Sequence, residues 1–206
     1  NISDITRTSN SLLPRVRSDI VEYVQEGRTA ITQLQISYVS KLAENYYFRL
    51  TAGLLEPMYG GIGVEVLYKP PLAPWAVSID INWVQQRDYD QVFEFRDYDV
   101  VTGHLNLSYR LPYRDVTVSI SAGKYLAKDW GATFQVARRF KSGIVVGGFF
   151  TLTSASAVEF GEGSFDKGFF IRIPLDALSI NHSRAGSTFF FRPLTRDGGQ
   201  RVNVGP

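Results

Sequence analysis

Ala76-Val77-Ser78-Ile79-Asp80-Ile81-Asn82-Trp83 alternates without a break, its odd positions apolar and its even positions small or polar. Period two is the signature of a β-strand with two different faces. The pattern recurs downstream. Val101, Leu105, Leu107, Tyr109 and Leu111 share one face opposite Thr102, His104, Asn106, Ser108 and Arg110, and Val116, Val118, Ile120 and Ala122 stand against Thr117, Ser119 and Ser121. Weaker copies fall at 30–39, 46–55, 62–69, 130–140, 144–153, 168–175 and 187–194, with a less regular first one at 15–24. Eleven candidate strands result, and no segment reads as a helix. Gly, Pro and Asp punctuate them, as in Lys69-Pro70-Pro71 and Leu111-Pro112-Tyr113-Arg114-Asp115.

Composition narrows the classes. The 206 residues are 44% hydrophobic and 20% charged, which excludes disorder. Twenty-two Lys and Arg against 20 Asp and Glu leave a net charge of +2 without basic runs, so nucleic acid is not expected as a partner. The absence of cysteine excludes a disulfide framework and a thiolate site, and two histidines in separate segments, His104 and His182, give no metal motif. No cofactor is expected. No stretch reaches the roughly 18 apolar residues of a spanning helix. The chain begins at Asn1 with no leader-like segment, and reads as a portion of a longer protein.

Alternation fits two opposite objects. A soluble sandwich or lipocalin-like barrel turns its apolar face into a core, whereas a membrane barrel turns it to lipid and its polar face to a lumen. The polar face here is built of Ser, Thr, Asn, Gly and Gln more than of Lys and Glu, and aromatics recur near strand ends (Trp75, Trp83, Tyr109, Tyr113, Tyr125, Trp130, Phe140). Short gaps alternate with the long ones at 85–99 and 154–166, as in an up-and-down meander with unequal ends. The expectation is an all-β, antiparallel, up-and-down transmembrane β-barrel of about 10–12 strands in the bacterial outer membrane. A leading segment at 1–14, a barrel at 15–195 and a tail at 196–206 divide the chain. On this orientation Ile79→Arg should block assembly and Asp80→Arg should be tolerated.

Arg49, Asp80, Asn82, His104, Asn106, Arg110, Ser119, Gln135 and Arg172 fall on the polar face, where they would line a hydrated passage or form an ion-pair network plugging it. Two similar tetrads, Arg87-Asp88-Tyr89-Asp90 and Arg96-Asp97-Tyr98-Asp99, occupy the longest gap. Arg87, Tyr89, Asp90, Arg96, Tyr98 and Asp99 could stack on and hydrogen-bond sugars, or the segment could be a hairpin extending beyond the membrane with its charges solvated. His104 near Ser108 and Asn106 has the residue types of a Ser–His–Asn lipase but no motif around it, and is read as structural. Asp166-Lys167 reads as a turn with local charge pairing. No phosphate loop, HExxH or GxSxG motif is present, so no catalytic residue is assigned and the chain is expected not to be an enzyme.

Several strings together resemble the YjbH-type exopolysaccharide biosynthesis proteins, related to those of group 4 capsule operons: Met58-Tyr59-Gly60-Gly61-Ile62-Gly63, Thr102-Gly103-His104, and Gly123-Lys124-Tyr125-Leu126-Ala127-Lys128-Asp129-Trp130-Gly131. Arg139-Phe140, the Gly161-to-Gly168 loop and Arg192-Pro193-Leu194-Thr195-Arg196-Asp197-Gly198-Gly199-Gln200 extend the resemblance over most of the chain. It implies a lipid-anchored outer-membrane barrel that helps secrete or assemble an exopolysaccharide or capsule. The implied partners are outer-membrane lipid, the polymer, other polysaccharide-export proteins, and the remaining part of the same polypeptide or a second barrel. Full members are several times longer and begin with a lipobox cysteine, so this chain resembles a carboxy-terminal barrel portion. An enzyme acting on polysaccharide or lipid, with His104 as base, and a purely structural barrel anchoring a periplasmic assembly are the alternatives.

Overall fold

The computed structural model describes residues 13–27, 30–156, 165–174, 186–192 and 197–205. Residues 1–12, His182, the first half of the Gly161-to-Gly168 loop and 193–196 lie outside them. One short helix, α1 (Ile20–Glu26), precedes ten strands: β1 (Leu34–Ala43), β2 (Tyr46–Leu54), β3 (Tyr59–Tyr68), β4 (Trp75–Arg87), β5 (Phe95–Arg110), β6 (Val116–Lys124), β7 (Trp130–Arg139), β8 (Val145–Thr153), β9 (Asp166–Pro174) and β10 (Gly186–Phe191). They form one antiparallel sheet in chain order, β1 to β10, and no pairing joins β1 to β10 among the described residues. The up-and-down meander is therefore present as an open sheet.

Three expectations are corrected. Residues 15–24 are not a strand: their β-branched Ile20, Val21 and Val24 mimic one, but 20–26 form α1, with Tyr23 buried and Glu22 and Tyr23 donating their N–H groups to the Asp19 carbonyl. The sheet therefore begins at Leu34, and its ten strands among the described residues fall within the 10–12 expected. The gap at 85–99 is largely ladder, since Gln85 pairs with Asp99 and Arg87 with Phe95. Nor do the sheet ends divide cleanly into short and long connections, because Pro174 and Gly186, which end β9 and begin β10 with eleven residues between them, lie at the same end of the sheet as the two-residue turn at Glu44 and Asn45. Asn45, with φ 66°, supplies the left-handed conformation such a tight turn needs.

The sheet is rolled around its polar face. One cavity of about 400 Å³ is lined both by Leu67 on β3 and by Phe190 on β10. Those strands stand seven spacings apart in the sheet order, roughly 33 Å if the sheet were flat. Rolling brings backbones close at glycines. At Gly53 (φ 131°) a Cβ would stand 2.3 Å from the Leu34 carbonyl oxygen. Gly53→Val should therefore cost about 2 kcal/mol through strain and clash. Its urea midpoint in detergent should fall well below that of the wild type, and an unchanged midpoint would contradict the close approach.

Polarity runs opposite to that of a water-soluble sheet. Ile79 is 54% exposed and Ile81 56%, while their neighbour Asn82 is 3% exposed. Leu105, Leu107, Ile120 and Val136 are likewise exposed on the outer face, and Thr51, Thr102 and Thr151 are buried on the inner one. The apolar core is small and sits at one end of the roll. Val16, Tyr23, Leu55, Met58, Tyr59, Val84, Val100, Leu126 and Ala127 meet there, with Val202 and Val204 packed against them. These come from the segment before the sheet, the β2–β3 and β6–β7 turns, the long β4–β5 hairpin and the segment after β10. That end is capped.

Candidate functional site

The antiparallel register turns alternation into rows across the inner face. Arg49, Glu65, Asp80, His104 and Gly123 align strand by strand from β2 to β6, and Ser78, Asn106, Ser121, Thr133, Thr151 and Asp166 form the next row, from β4 to β9. Arg49 and Glu65 pair at 2.9 Å. Asp80 is the hub. It accepts from the Asn82 amide at 3.0 Å and the Asn106 amide at 2.8 Å, and the ring Nδ1 of His104 stands 3.5 Å away. His104 is buried, packs edge-on against the Tyr125 ring with centroids 4.8 Å apart, and has no closer polar contact on its ring nitrogens among the described residues than this approach to Asp80. Among the described residues no serine hydroxyl is hydrogen-bonded to it. Neighbouring hydroxyls link up as Tyr125 to Thr133 at 2.7 Å and Thr133 to Thr151 at 2.9 Å.

A strap, residues 197–205, crosses this face. Arg201 donates to the Asp80 carboxylate at 3.0 Å and to the Asn106 side-chain oxygen at 3.1 Å. Gly199 donates its N–H to Asp129 at 2.8 Å, the Gln200 carbonyl accepts from the Leu126 N–H at 2.9 Å, and the Val204 carbonyl accepts from the Gln35 amide at 3.1 Å. The strap separates the cavity of about 400 Å³ from a second of about 260 Å³, with Arg201 lining both. Ser119 and Gln135 line the larger, Asp80 and Asn82 the smaller, and Asn106 both. Arg110 and Arg172 are exposed near the ends of β5 and β9, at the end of the roll away from the cap.

The strap is bolted to the cap. One oxygen of the fully buried Asp197 accepts from the N–H groups of Val16, Arg17 and Ser18 at 2.9, 2.8 and 2.9 Å. Arg17 pairs with Glu56 at 2.7 Å and donates to the Arg201 carbonyl at 2.8 Å. Burial works against the Arg17 charge, yet Glu56 outweighs it and holds the guanidinium above its ordinary range. Burial lifts the Asp19 carboxyl, opposed by its hydrogen bond from Tyr89.

The tetrads build this cap. Arg87 is completely buried, so the expectation of solvated charges is corrected for it: its guanidinium donates to the carbonyls of Glu56, Gln91 and Val92, which offsets part of the cost of burying the charge. Tyr89 stands edge-on to Tyr23 with Arg96 over its face at 4.1 Å, and Asp90 accepts from the Val92 N–H at 2.9 Å. The Tyr98 hydroxyl donates to the Leu126 carbonyl at 2.6 Å, and Asp99 faces Gln85 in the ladder. Tyr89 and Tyr98 are thus held in packing, one under Arg96 and the other under Lys128 at 5.1 Å.

A rolled sheet, apolar outside, polar inside and crossed by its own following segment, was compared with known proteins. The family model described as "Exopolysaccharide biosynthesis protein YbjH", that of the YjbH family, matches residues 1–206. The chain belongs to the YjbH family. It is 44% identical over 197 residues to the Escherichia coli (strain K12) protein named "Uncharacterized lipoprotein YjbH", covering 94% of this chain. The chain spans 28% of that YjbH protein's length. No solved structure matches it.

Within this YjbH chain, sequence reasoning missed Glu56, Asp129, Asp166, Asp197 and Arg201. Asp166 is the first residue of β9, paired with Thr151, which corrects the turn expected there. The other four lie in turns or in the strap, where no periodicity marks a partner. The string ending in Asp197-Gly198-Gly199-Gln200 was the available signal, because so polar a run would have no reason to be specific in a free tail.

Proposed function

We propose that this chain is part of the lipid-facing wall of an outer-membrane β-barrel that takes part, without catalysis, in secreting or assembling an exopolysaccharide, its polar inner face being the conduit wall. The observation that carries the reading is the inverted polarity of the rolled sheet. An exposed apolar face of this extent seeks lipid or a partner, and small neutral side chains inside suit a hydrated lumen. Aromatics support it. Tyr46, Tyr68, Trp75 and Tyr109 sit on the outer face of adjacent strands at one end, with Tyr46 and Tyr68 centroids 4.6 Å apart and Tyr68 and Trp75 5.7 Å apart. Trp83, further along β4, is exposed on the same face. Eight residues at about 3.3 Å make about 26 Å along the strand, or about 20 Å once tilted, close to the apolar band of such barrels. The name of the Escherichia coli relative, a lipoprotein, agrees with residence at a membrane.

Free ladders at β1 and β10 are costly in lipid, so the remaining part of the polypeptide or a second barrel is proposed to complete the wall. His104, buried against Tyr125 beside Asp80, is read here as a structural residue of the inner face. The strap favours a second reading, a structural barrel that conducts nothing. Bilayer conductance of the full-length protein separates the two. In the conduit reading the wild type is nearly closed and Arg201→Ala, which unpins the strap from Asp80 and Asn106, raises conductance several-fold. Wild type and variant both indistinguishable from a bare bilayer would sink the conduit and leave the anchor.

A further inference from the structure

We propose that the cavity of about 400 Å³ on the inner face is a binding site for a short neutral saccharide, a site that rests on the secretion reading above and names what the conduit wall grips. Asp166 is the reason. Its side chain is 2% exposed and lines this cavity, Oδ2 lies 3.5 Å from the Arg192 guanidinium, and Oδ1 has no hydrogen-bond partner among the described residues. A buried carboxylate oxygen without a donor is unfavourable, and folded proteins seldom retain one unless something supplies the donor. A ligand that completes Asp166 Oδ1 would bring a hydrogen-bond donor into the cavity.

The rest of the lining selects the chemistry. Ser119, Ser121 and Gln135 offer groups that both donate and accept, which matches a molecule dense in hydroxyls. Phe190, 64% exposed, presents an aromatic surface to the same space, and Arg192 lies over the Phe149 ring at 5.0 Å. A pyranose ring has this dual character, with hydroxyls at its edge and apolar C–H groups on its faces. The volume falls within the ~300–1,000 Å³ usual for small-ligand sites. Other ligands fit less well. A phosphate or uronate would face the Asp166 carboxylate, while the two guanidiniums of the lining, Arg192 and Arg201, are already paired with Asp166 and Asp80. A divalent cation would face those guanidiniums with one carboxylate as anchor, and an apolar molecule would strand the serines and the glutamine.

The test uses the full-length protein in detergent, titrated calorimetrically with neutral tetrasaccharides of glucose, galactose and mannose, and with tetragalacturonate as the anionic counterpart. At least one neutral tetrasaccharide should bind, Asp166→Ala should weaken it at least tenfold, and tetragalacturonate should bind more weakly than the neutral probe. Ser119→Phe fills the cavity from β6 without removing the carboxylate and should also abolish binding, so it carries the test if Asp166→Ala does not fold. Equal binding by wild type and both variants, binding of the anionic probe alone, or binding of no probe would overturn the site. Secretion in cells is scored separately. Binding without secretion leaves the site standing and fails the secretion reading, whereas secretion without binding fails the site alone.

Discussion

Ile79→Arg should remove most of the folded protein from the membrane fraction, whereas Gln135→Arg should assemble like the wild type. Ile79 lies midway between Trp75 and Trp83 on β4, is 54% exposed, and is flanked on the outer face by Val66 of β3 and Leu105 of β5. If that face meets acyl chains, Ile79 is near the midplane, where an arginine costs roughly 2–4 kcal/mol. That is about 30-fold to nearly 1,000-fold in an assembly equilibrium. Gln135 faces the larger cavity, where a charge stays hydrated. Asp80→Arg, the control that alternation suggested, would set a second guanidinium beside Arg201, which stands 3.0 Å from Asp80, so its loss of assembly would say nothing about lipid. Heat-modifiable migration of membrane fractions reads the result. Equal assembly of Ile79→Arg and Gln135→Arg would mean that the exposed apolar face contacts something other than lipid.

The strands were legible because each is a local object. In 76–83 alternate residues point to opposite faces, so polarity can be read residue by residue, and the register then aligns Asp80 with His104 as the two polar faces require. Local pattern failed where a segment takes its structure from distant chain. Residues 15–24 alternate about as well as a weak strand, yet Asp197, some 180 residues away, accepts their backbone N–H groups and draws them into the cap. The tetrads failed for the same reason. Arg87 carries the residue type of a solvated loop, but the three carbonyls that hold it belong to the β2–β3 turn and to its own hairpin, brought together only once the sheet has rolled. Of the candidate site, the inner-face rows were visible in the sequence and the strap across them was not. A row needs parity alone, while the strap needs to know where the roll brings Asp80 and Asn106.

Asp197→Ala should release the strap and the segment before α1 together. Asp197 is completely buried, and one of its oxygens receives three N–H groups from consecutive residues, 16 to 18. Removing it leaves those donors unmatched in a region sealed by Val16, Leu126 and Val202, at about 1–3 kcal/mol for each that water cannot reach. The whole sheet need not unfold, because its ladders do not pass through Asp197. The expected result is local: trypsin should cut after Arg17 and after Arg201 in the variant much faster than in the wild type, while the heat-modifiable band persists. Asp197→Asn keeps an oxygen at the same place and should restore most of the protection, since an amide oxygen accepts the same N–H groups without the charge. Protection equal to the wild type in Asp197→Ala would mean that the other fastenings, Arg17 to the Arg201 carbonyl, Gly199 to Asp129 and Arg201 to Asp80, hold the strap without it. Release in Asp197→Ala accompanied by a rise in conductance like that expected for Arg201→Ala would place the lock of the conduit at its capped end, where two segments 180 residues apart are fastened by one carboxylate oxygen.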